Sequence, residues 1–287
     1  MKALFVVTVM LATLCSALPA SLGWAEQKSG WRERGSAQGE DVEAEARLVE
    51  EDVTAEIEFG REVAARIIGR YGLYQNTVVT KYVNLVGKVV AMNANRPELE
   101  FRFGVLNTDQ VNAYAAPGGY VFVTRGALGK MQDEAELATV LAHEVAHIAQ
   151  RHVVKELNIK GADGSAASGL ARLIGGGTDS ARVAFSQTVD KALDILFKDG
   201  YKREDEVQAD QNAVILAATA GYDPGGLVRY FTRLNIAKGK QTEILDKTHP
   251  AYGERITALT AVISSEGVKG DSLKNEKERF ATVQKQF

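Results

Sequence analysis

The chain has 287 residues, of which 45% are hydrophobic and 25% are charged. Its formal net charge of −3 gives no support for nucleic-acid binding. Beyond Ala25 there is no apolar run of about 18 residues or more, so the sequence predicts no transmembrane segment. The length allows two domains, or one domain with a peripheral subdomain.

Residues 1–25 have the pattern of a cleaved signal peptide. Lys2 gives a basic start, an apolar stretch follows, and small residues at Gly23 and Ala25 suit cleavage after Ala25. The only cysteine, Cys15, lies inside this segment, and Leu14 stands where a lipoprotein signal would have a small residue. We therefore expect a mature chain without cysteine, not acylated, and exported to the bacterial periplasm.

The next part of the chain predicts a lead-in followed by helices and a strand. Residues 26–50 are polar, and we expect a tether or a partly disordered segment. In residues 51–71 and 80–92 the apolar positions recur mostly at helical spacing, which predicts two core helices. In residues 99–103 apolar and charged side chains alternate, which predicts a half-buried strand.

Residues 111–116 and 120–124 predict two strands joined by a tight turn at Pro117-Gly118-Gly119. One interpretation is a structural hairpin that only supports the following helix. The other is an open strand edge to which an extended peptide adds by backbone hydrogen bonds. The hairpin alone does not distinguish the two, although a peptide-cleaving site just downstream would favour substrate binding.

Such a site is indicated by His143-Glu144-x-x-His147, on a helix expected to run from Asp133 to about His152. Residues four apart share a helix face, so both histidines can bind one ion. Glu144 lies about 100° further round, beside the metal, where it can accept a proton from a metal-bound water. This is the front half of a zinc hydrolase site. The alternative, two surface histidines around a solvated glutamate, fits poorly with the apolar surroundings.

The sequence leaves the third ligand open. His152 lies five residues beyond His147, which turns it off the ligand face. The remaining candidates are His249 and a carboxylate on another helix, where Glu206 and Asp210 lie four residues apart. Acidic residues are also common in a first helical turn because of the helix dipole, so spacing alone does not settle Glu206.

Residues 160–178 are rich in Gly, Ala and Ser. No strand precedes them and no lysine follows to anchor a phosphate, so a phosphate-binding loop is not indicated. We expect a mobile surface loop or flap near the site.

Taken together, these stretches resemble the M48 family of zinc metallopeptidases, of the gluzincin type. The matching segments are His143-Glu144-x-x-His147, Glu206-x-x-Ala209-Asp210, the hairpin Asn112-Ala113-Tyr114-Ala115-Ala116-Pro117-Gly118-Gly119-Tyr120, the leading helix Glu58-Phe59-Gly60-Arg61-Glu62-Val63, and Thr248-His249-Pro250 with Arg255-Ile256. The resemblance covers about Thr54 to Leu259 in the family's order. Spanning helices and an added helical-repeat domain, which some members carry, are not seen in this sequence.

The resemblance implies one zinc per chain, held by His143, His147 and Glu206. It implies that Glu144 is the general base and that Asp210 is a carboxylate or proton donor next to the site. The expected fold is α+β, mostly helical and zincin-like, with a small antiparallel sheet or hairpin beside the HExxH helix. The substrate-binding residues would be Asn112, Ala113, Tyr114 and Ala115. Residues 51–265 would form the peptidase domain and residues 266–287 a charged tail.

His249 has two interpretations. Pro250 after it suits the first turn of a helix, which makes His249 a helix-start residue. Its place in the family pattern instead favours a position near the metal, steadying the oxyanion or occupying the open site in a resting form. The sequence does not choose between these two functional roles, but both require that His249 lie within reach of the metal.

The predicted function is a zinc metalloendopeptidase of the soluble periplasmic quality-control branch, acting on unfolded or extended polypeptides. This branch makes the outer-membrane assembly machinery a candidate partner. The alternative is a non-enzymatic periplasmic chaperone or assembly factor with a structural zinc. The intact Glu144 argues against it, because a purely structural site has no use for a base there.

Overall fold

The computed structural model describes residues 29–159, 169–175, 177–237, 242–267 and 273–286. The chain divides into two units, residues 1–44 and residues 45–287. The described part of the first unit, residues 29–44, is helical. The predicted signal peptide and Cys15 lie outside the described residues, as does most of the Gly-rich segment, whose residues 169–175 form a helix.

The described residues form helices and three short strands. In chain order these are α1 (Ser29–Tyr71), α2 (Thr77–Ala91), β1 (Arg102–Leu106), β2 (Ala113–Ala116), β3 (Tyr120–Thr124), α3 (Arg125–Leu128), α4 (Glu134–Ala149), α5 (His152–Glu156), α6 (Gly169–Gly175), α7 (Asp179–Asp194), α8 (Arg203–Thr219), α9 (Gly226–Ile236), α10 (Glu243–Thr248), α11 (Tyr252–Ser265) and α12 (Lys277–Gln284). Pro117–Gly119 forms a 3-10 turn, and Ile195–Asp199 a π-helical turn after α7. None of these helices combines the length and apolarity needed to cross a membrane.

The predicted fold class, mostly helical with a small sheet, is confirmed. The hairpin β2–β3 is antiparallel, and β1 adds a parallel neighbour to give the order β1-β3-β2. The strand expected at residues 99–103 begins later, because Arg102 is the first residue opposite β3, where it pairs with Tyr120. The alternation of apolar side chains identified the buried positions, but it did not indicate where the partner strand begins.

Two segments expected to flank the peptidase domain contain helices. Residues 29–50, within the stretch expected to be a tether or a partly disordered segment, are helical. Within the expected charged tail, α12 buries Phe280 completely in the main hydrophobic core, where its ring lies 6.3 Å from that of Tyr82. Arg279 also donates to the buried carboxylate of Glu134 at 2.6 Å. We propose that the folded peptidase domain extends to α12.

Helix α4 is the centre of the core. Every residue from Glu134 to Ile148 is buried, because α4 packs against the sheet and against α2, α8 and α9. A helix that is apolar nearly all round is expected in such a position. The polar residues of its HExxH motif are therefore held away from bulk water.

Helix α1 contacts the turn of the hairpin backbone to backbone. A Cβ atom on Gly60 would lie 1.7 Å from the carbonyl oxygen of Pro117, and one on Gly118 would lie 2.6 Å from the Cα atom of Ile57. Gly118 also has a left-handed φ of 73°. The Glu56 carboxylate accepts the Gly118 N–H at 3.3 Å, which fixes the turn against α1. The Glu-Phe-Gly segment of α1 therefore positions the hairpin.

We expect Gly60→Ala to lower the free energy of unfolding by about 1–3 kcal/mol or more, because its methyl group must displace the hairpin turn. Gly69→Ala on the same helix is the matched control. A Cβ there meets nothing within 4 Å, so the substitution should raise stability by about 0.5–1 kcal/mol. Chemical denaturation of both variants checks this, and equal effects would contradict the assigned contact.

Candidate metal centre

Four side chains from three parts of the chain converge beside α4. His143 and His147 lie one turn apart on α4, and their Nε2 atoms are 3.0 Å apart. Glu206, in the first turn of α8, places its carboxylate oxygens 3.8 Å from His143 Nε2 and 3.6 Å from His147 Nε2. His249, directly after α10, has its Nε2 atom 3.6 Å from Glu206. One ligand atom from each of the four lies within 4.8 Å of the others.

These residues fit a metal ion. Zinc–nitrogen and zinc–oxygen bonds of about 2.0–2.2 Å in a tetrahedron put ligand atoms about 3.3–3.6 Å apart, close to the separations in the cluster. Both carboxylate oxygens of Glu206 are buried without a hydrogen-bond partner. Burial raises the pKa of this carboxyl well above its ordinary value, and Arg255 opposes the rise. A cation among the four residues would satisfy the orphaned oxygens and hold the carboxylate ionised.

Glu144 lies next to the cluster without joining it. Its side chain is buried and lines a cavity together with His143 and His249. Burial raises the pKa of Glu144 to about 8, against the opposing charge of Arg255. A carboxyl group with a pKa near neutrality, facing a cavity, is suited to accept and return a proton.

Asp210 holds His143 in place. It lies one turn beyond Glu206 on α8, and its carboxylate accepts the Nδ1–H of His143 at 3.0 Å. Arg255, from α11, donates to both Asp210 oxygens at 2.7 and 3.0 Å. Burial alone would raise the pKa of Asp210, but Arg255 and His143 hold it below its ordinary value. An ionised acceptor fits a positioning role better than the proton-donor role that the sequence left open.

The cavity beside Glu144 is small, with a volume of about 20 Å³. Its walls are mainly apolar and come from β2, α3, α4, α9 and the segment that carries His249. The lining residues other than those of the cluster are Asn112, Ala113, Ala127, Val140, Leu227, Tyr230, Phe231 and Leu245, with Arg255 at one side. A small group in this cavity would lie next to both the base and the cluster.

Strand β2 is the edge of the sheet nearest the cluster. The N–H of Thr124 donates to the carbonyl oxygen of Asn112, so these two residues form a hydrogen-bonded pair. Such pairs alternate along an antiparallel ladder, so Tyr114 also faces β3, whereas the backbone groups of Ala113 and Ala115 point outward. Of the four predicted substrate-binding residues, these two direct their backbone groups away from β3, and both are buried, with 7% and 1% of their surface exposed.

Comparison with known proteins assigns the chain to a family. The sequence profile of peptidase family M48 matches residues 78–263, more than half of the chain and all four clustered residues. The chain belongs to peptidase family M48. It is therefore a metallopeptidase, and the buried His-His-Glu-His cluster is its candidate metal centre.

Individual relatives are distant. The β-barrel assembly-enhancing protease of Escherichia coli is 25% identical over 62% of this chain and 37% of its own length. Metalloprotease YcaL of E. coli is 26% identical over 78% of this chain and 82% of its own length, and metalloprotease LoiP is 27% identical over 68% and 74%. The chain spans 43% or less of the β-barrel assembly-enhancing proteases that it matches.

The structure places His152 and Tyr201 against the M48 cluster, where sequence spacing did not. The helix expected to reach His152 ends at Ala149, and Arg151 adopts a left-handed conformation with φ 57°. This break brings His152 Nδ1 to 2.9 Å from His147 Nδ1. The ring of Tyr201 stacks on that of His147, with centroids 4.0 Å apart. In the sequence, only a sign that the helix breaks after the HExxH motif could have revealed the contact between His152 and His147.

We expect Arg255→Met to lower the free energy of unfolding of the metal-free protein by about 3–5 kcal/mol, because it leaves the carboxylates of Asp210 and Glu206 buried without their cation. A saturating divalent metal should reduce this loss by supplying positive charge to Glu206. Denaturation in chelator and in excess metal measures both quantities.

Arg203→Met is the control for loss of an arginine. The ion pair of Arg203 with Glu254 is solvent-exposed, with side chains 67% and 54% accessible, so we expect a change below about 1 kcal/mol. Equal losses in the two variants would contradict the role assigned to Arg255.

Proposed function

We propose that this M48 peptidase is a zinc endopeptidase that cleaves unfolded or extended polypeptides in the periplasm, as part of protein quality control. The observation that carries the proposal is the buried cluster with Glu144 beside it and the outer strand β2 at the same cavity. Together they would provide a metal site, a base and a strand that can pair with a peptide.

The zinc would be held by His143, His147 and Glu206. Two neutral imidazoles and one carboxylate form a set of protein ligands that leaves a coordination position open, as catalytic zinc sites require. When bound, zinc would polarise the scissile carbonyl and lower the pKa of a water molecule.

Glu144 performs the proton transfers. From its position beside the cluster it accepts the proton of the attacking water and then donates it to the leaving amine. The raised pKa of this buried carboxyl suits both steps, because the group must be ionised for the first and protonated for the second. The apolar residues that line the cavity beside Glu144 would lie next to the side chain that follows the scissile bond, since that residue carries the leaving nitrogen.

Substrate selection follows from the edge of β2. The outward backbone groups of Ala113 and Ala115 can pair only with a segment that has its own backbone groups free. Folded regions with paired strands and helices do not offer such a segment. This favours unfolded or misassembled chains as substrates, with little dependence on sequence except at the cavity.

Two observations support the proposed compartment and partners. The N-terminal sequence has the features of a signal peptide, and several relatives are named β-barrel assembly-enhancing proteases. We therefore propose export to the periplasm and a connection to the outer-membrane assembly machinery. Pull-down of that machinery with a Glu144→Gln variant in intact cells tests the second point.

The catalytic assignment is tested by two substitutions. Glu144→Gln should retain about one zinc per chain and lose proteolysis of casein by on the order of 10²-fold or more, because the base is removed without a ligand. Glu206→Ala should lose both zinc and activity. Metal analysis and casein cleavage of the purified proteins measure these effects, with Glu204→Ala in the same helix turn as control.

The outcomes separate the alternatives. Full zinc and full turnover in Glu206→Ala would make the third-ligand assignment wrong. Binding of unfolded casein without cleavage by the zinc-loaded native protein would instead support a chaperone with a structural metal.

For His249 we propose the role of a resting-state ligand. Its Nε2 atom lies as close to Glu206 as that of His147 does, at 3.6 Å, so it can complete the coordination of the same ion. A histidine in that position competes with the catalytic water. Leu245, on the adjacent helix α10, lines the same cavity as His249, so release of His249 would also change the cavity wall.

Accordingly, His249→Ala should raise basal cleavage of casein while leaving the zinc content at about one per chain. Turnover measured on the purified variant and the native protein checks this. If turnover instead falls by on the order of 10²-fold with zinc retained, His249 stabilises the oxyanion and the resting-state role is wrong.

A further inference from the structure

We propose that His152 is a positioning residue for the metal centre, which fixes the tautomer of His147 through a directed hydrogen-bond chain that ends on α8. The proposal rests on the proposed zinc function, since it concerns how one ligand is prepared. His152 does not belong to the cluster of ligand atoms.

The chain runs through two contacts of the fully buried His152 ring. On one side, its Nδ1 atom lies 2.9 Å from Nδ1 of His147. On the other, its Nε2 atom lies 2.9 Å from the side-chain oxygen of Gln208 and 3.6 Å from a carboxylate oxygen of Asp205. Both partners at the second nitrogen belong to the first turns of α8, the helix that also carries Glu206.

The partners set the direction of the chain. The Gln208 oxygen lies at hydrogen-bond distance as an acceptor, and the nearby negative charge of Asp205 favours a proton on the same nitrogen, so Nε2 of His152 carries the proton. Nδ1 of neutral His152 is then an acceptor, and His147 must donate its own Nδ1–H to it. That leaves Nε2 of His147 with a free lone pair, directed into the cluster as a metal ligand requires.

The turn that presents His152 is anchored independently. Arg151 holds the left-handed conformation that ends the α4 segment, and its guanidinium is paired with Asp52 at 2.7 Å and Glu56 at 3.1 Å. Without this turn, a residue five positions beyond His147 would point away from it. The helix break therefore has a specific consequence, which is to place a second imidazole behind the first.

The two histidine ligands on α4 donate their Nδ1–H groups to different kinds of acceptor. His143 donates to the ionised Asp210, whose charge is balanced by Arg255. His147 donates to a neutral ring instead, so its ligand tautomer is selected without a further negative charge next to Glu206. Removal of the acceptor at His152 should therefore weaken metal binding through orientation and tautomer rather than through charge.

The test compares two substitutions of His152 by zinc affinity, measured by competition with a chelator. The substitution His152→Asn keeps a side-chain oxygen as an acceptor near the position of Nδ1, whereas His152→Leu removes the acceptor at similar volume. We expect His152→Leu to weaken zinc binding by about 10–100-fold and His152→Asn to retain most of the affinity. Native affinity in the folded His152→Leu variant would overturn the proposal.

Two further measurements keep the test decisive if His152→Leu does not fold. In the zinc-loaded native protein, nitrogen NMR of labelled histidines should show the proton on Nε2 of His152 and on Nδ1 of His147, and the opposite assignment would overturn the proposal. At the exposed Gln208, Gln208→Lys should weaken zinc binding by placing a donor at Nε2, whereas Gln208→Glu should not. A native protein that binds no zinc would instead contradict the proposed function.

Discussion

The constraint on which this structure depends is the burial of charge-bearing ligands inside a helical core. Glu206 is almost completely buried, neither of its carboxylate oxygens has a hydrogen-bond partner, and two imidazole nitrogens lie 3.0 Å apart beside it. Such an arrangement is costly in a protein interior unless a cation completes it. Helix α4 is surrounded on all sides, so the cluster cannot relax by turning toward solvent. The stability of the fold therefore depends on how the charges of the metal centre are satisfied.

Charge balance around the cluster is provided by one arginine. Arg255 pairs with Asp210, lies 3.6 Å from Glu206 and packs over the ring of Phe231 at 4.3 Å. Its pKa is raised because Asp210 and Glu206 outweigh the opposing effect of burial, so it stays charged. The same residue lowers the pKa of Glu144 relative to what burial alone would give. Arg255 lies on α11, which is distant in sequence, and it shifts the pKa values of carboxyl groups on both α4 and α8.

The sequence could predict those parts of the site that follow from local periodicity. The four-residue spacing of His143 and His147 on a helix is enough to place both on one face, and the hairpin follows from its turn residues. Spacing could not select Glu206, because contact between α8 and α4 is a property of tertiary packing. It placed His152 away from His147, because a continuous helix was assumed where Arg151 adopts a left-handed turn. The start of β1 was likewise set by its partner strand, not by its own alternation.

One buried carboxylate connects the substrate edge to the ligand scaffold. Glu56 of α1 accepts the N–H of Gly118 in the hairpin turn and also pairs with Arg151, the residue that turns the chain toward His152. Arg96 completes its pairing at 3.0 Å. The strand proposed to hold the peptide and the ring that orients His147 therefore share one anchor point. Displacement of either element would therefore move a partner of the same carboxylate.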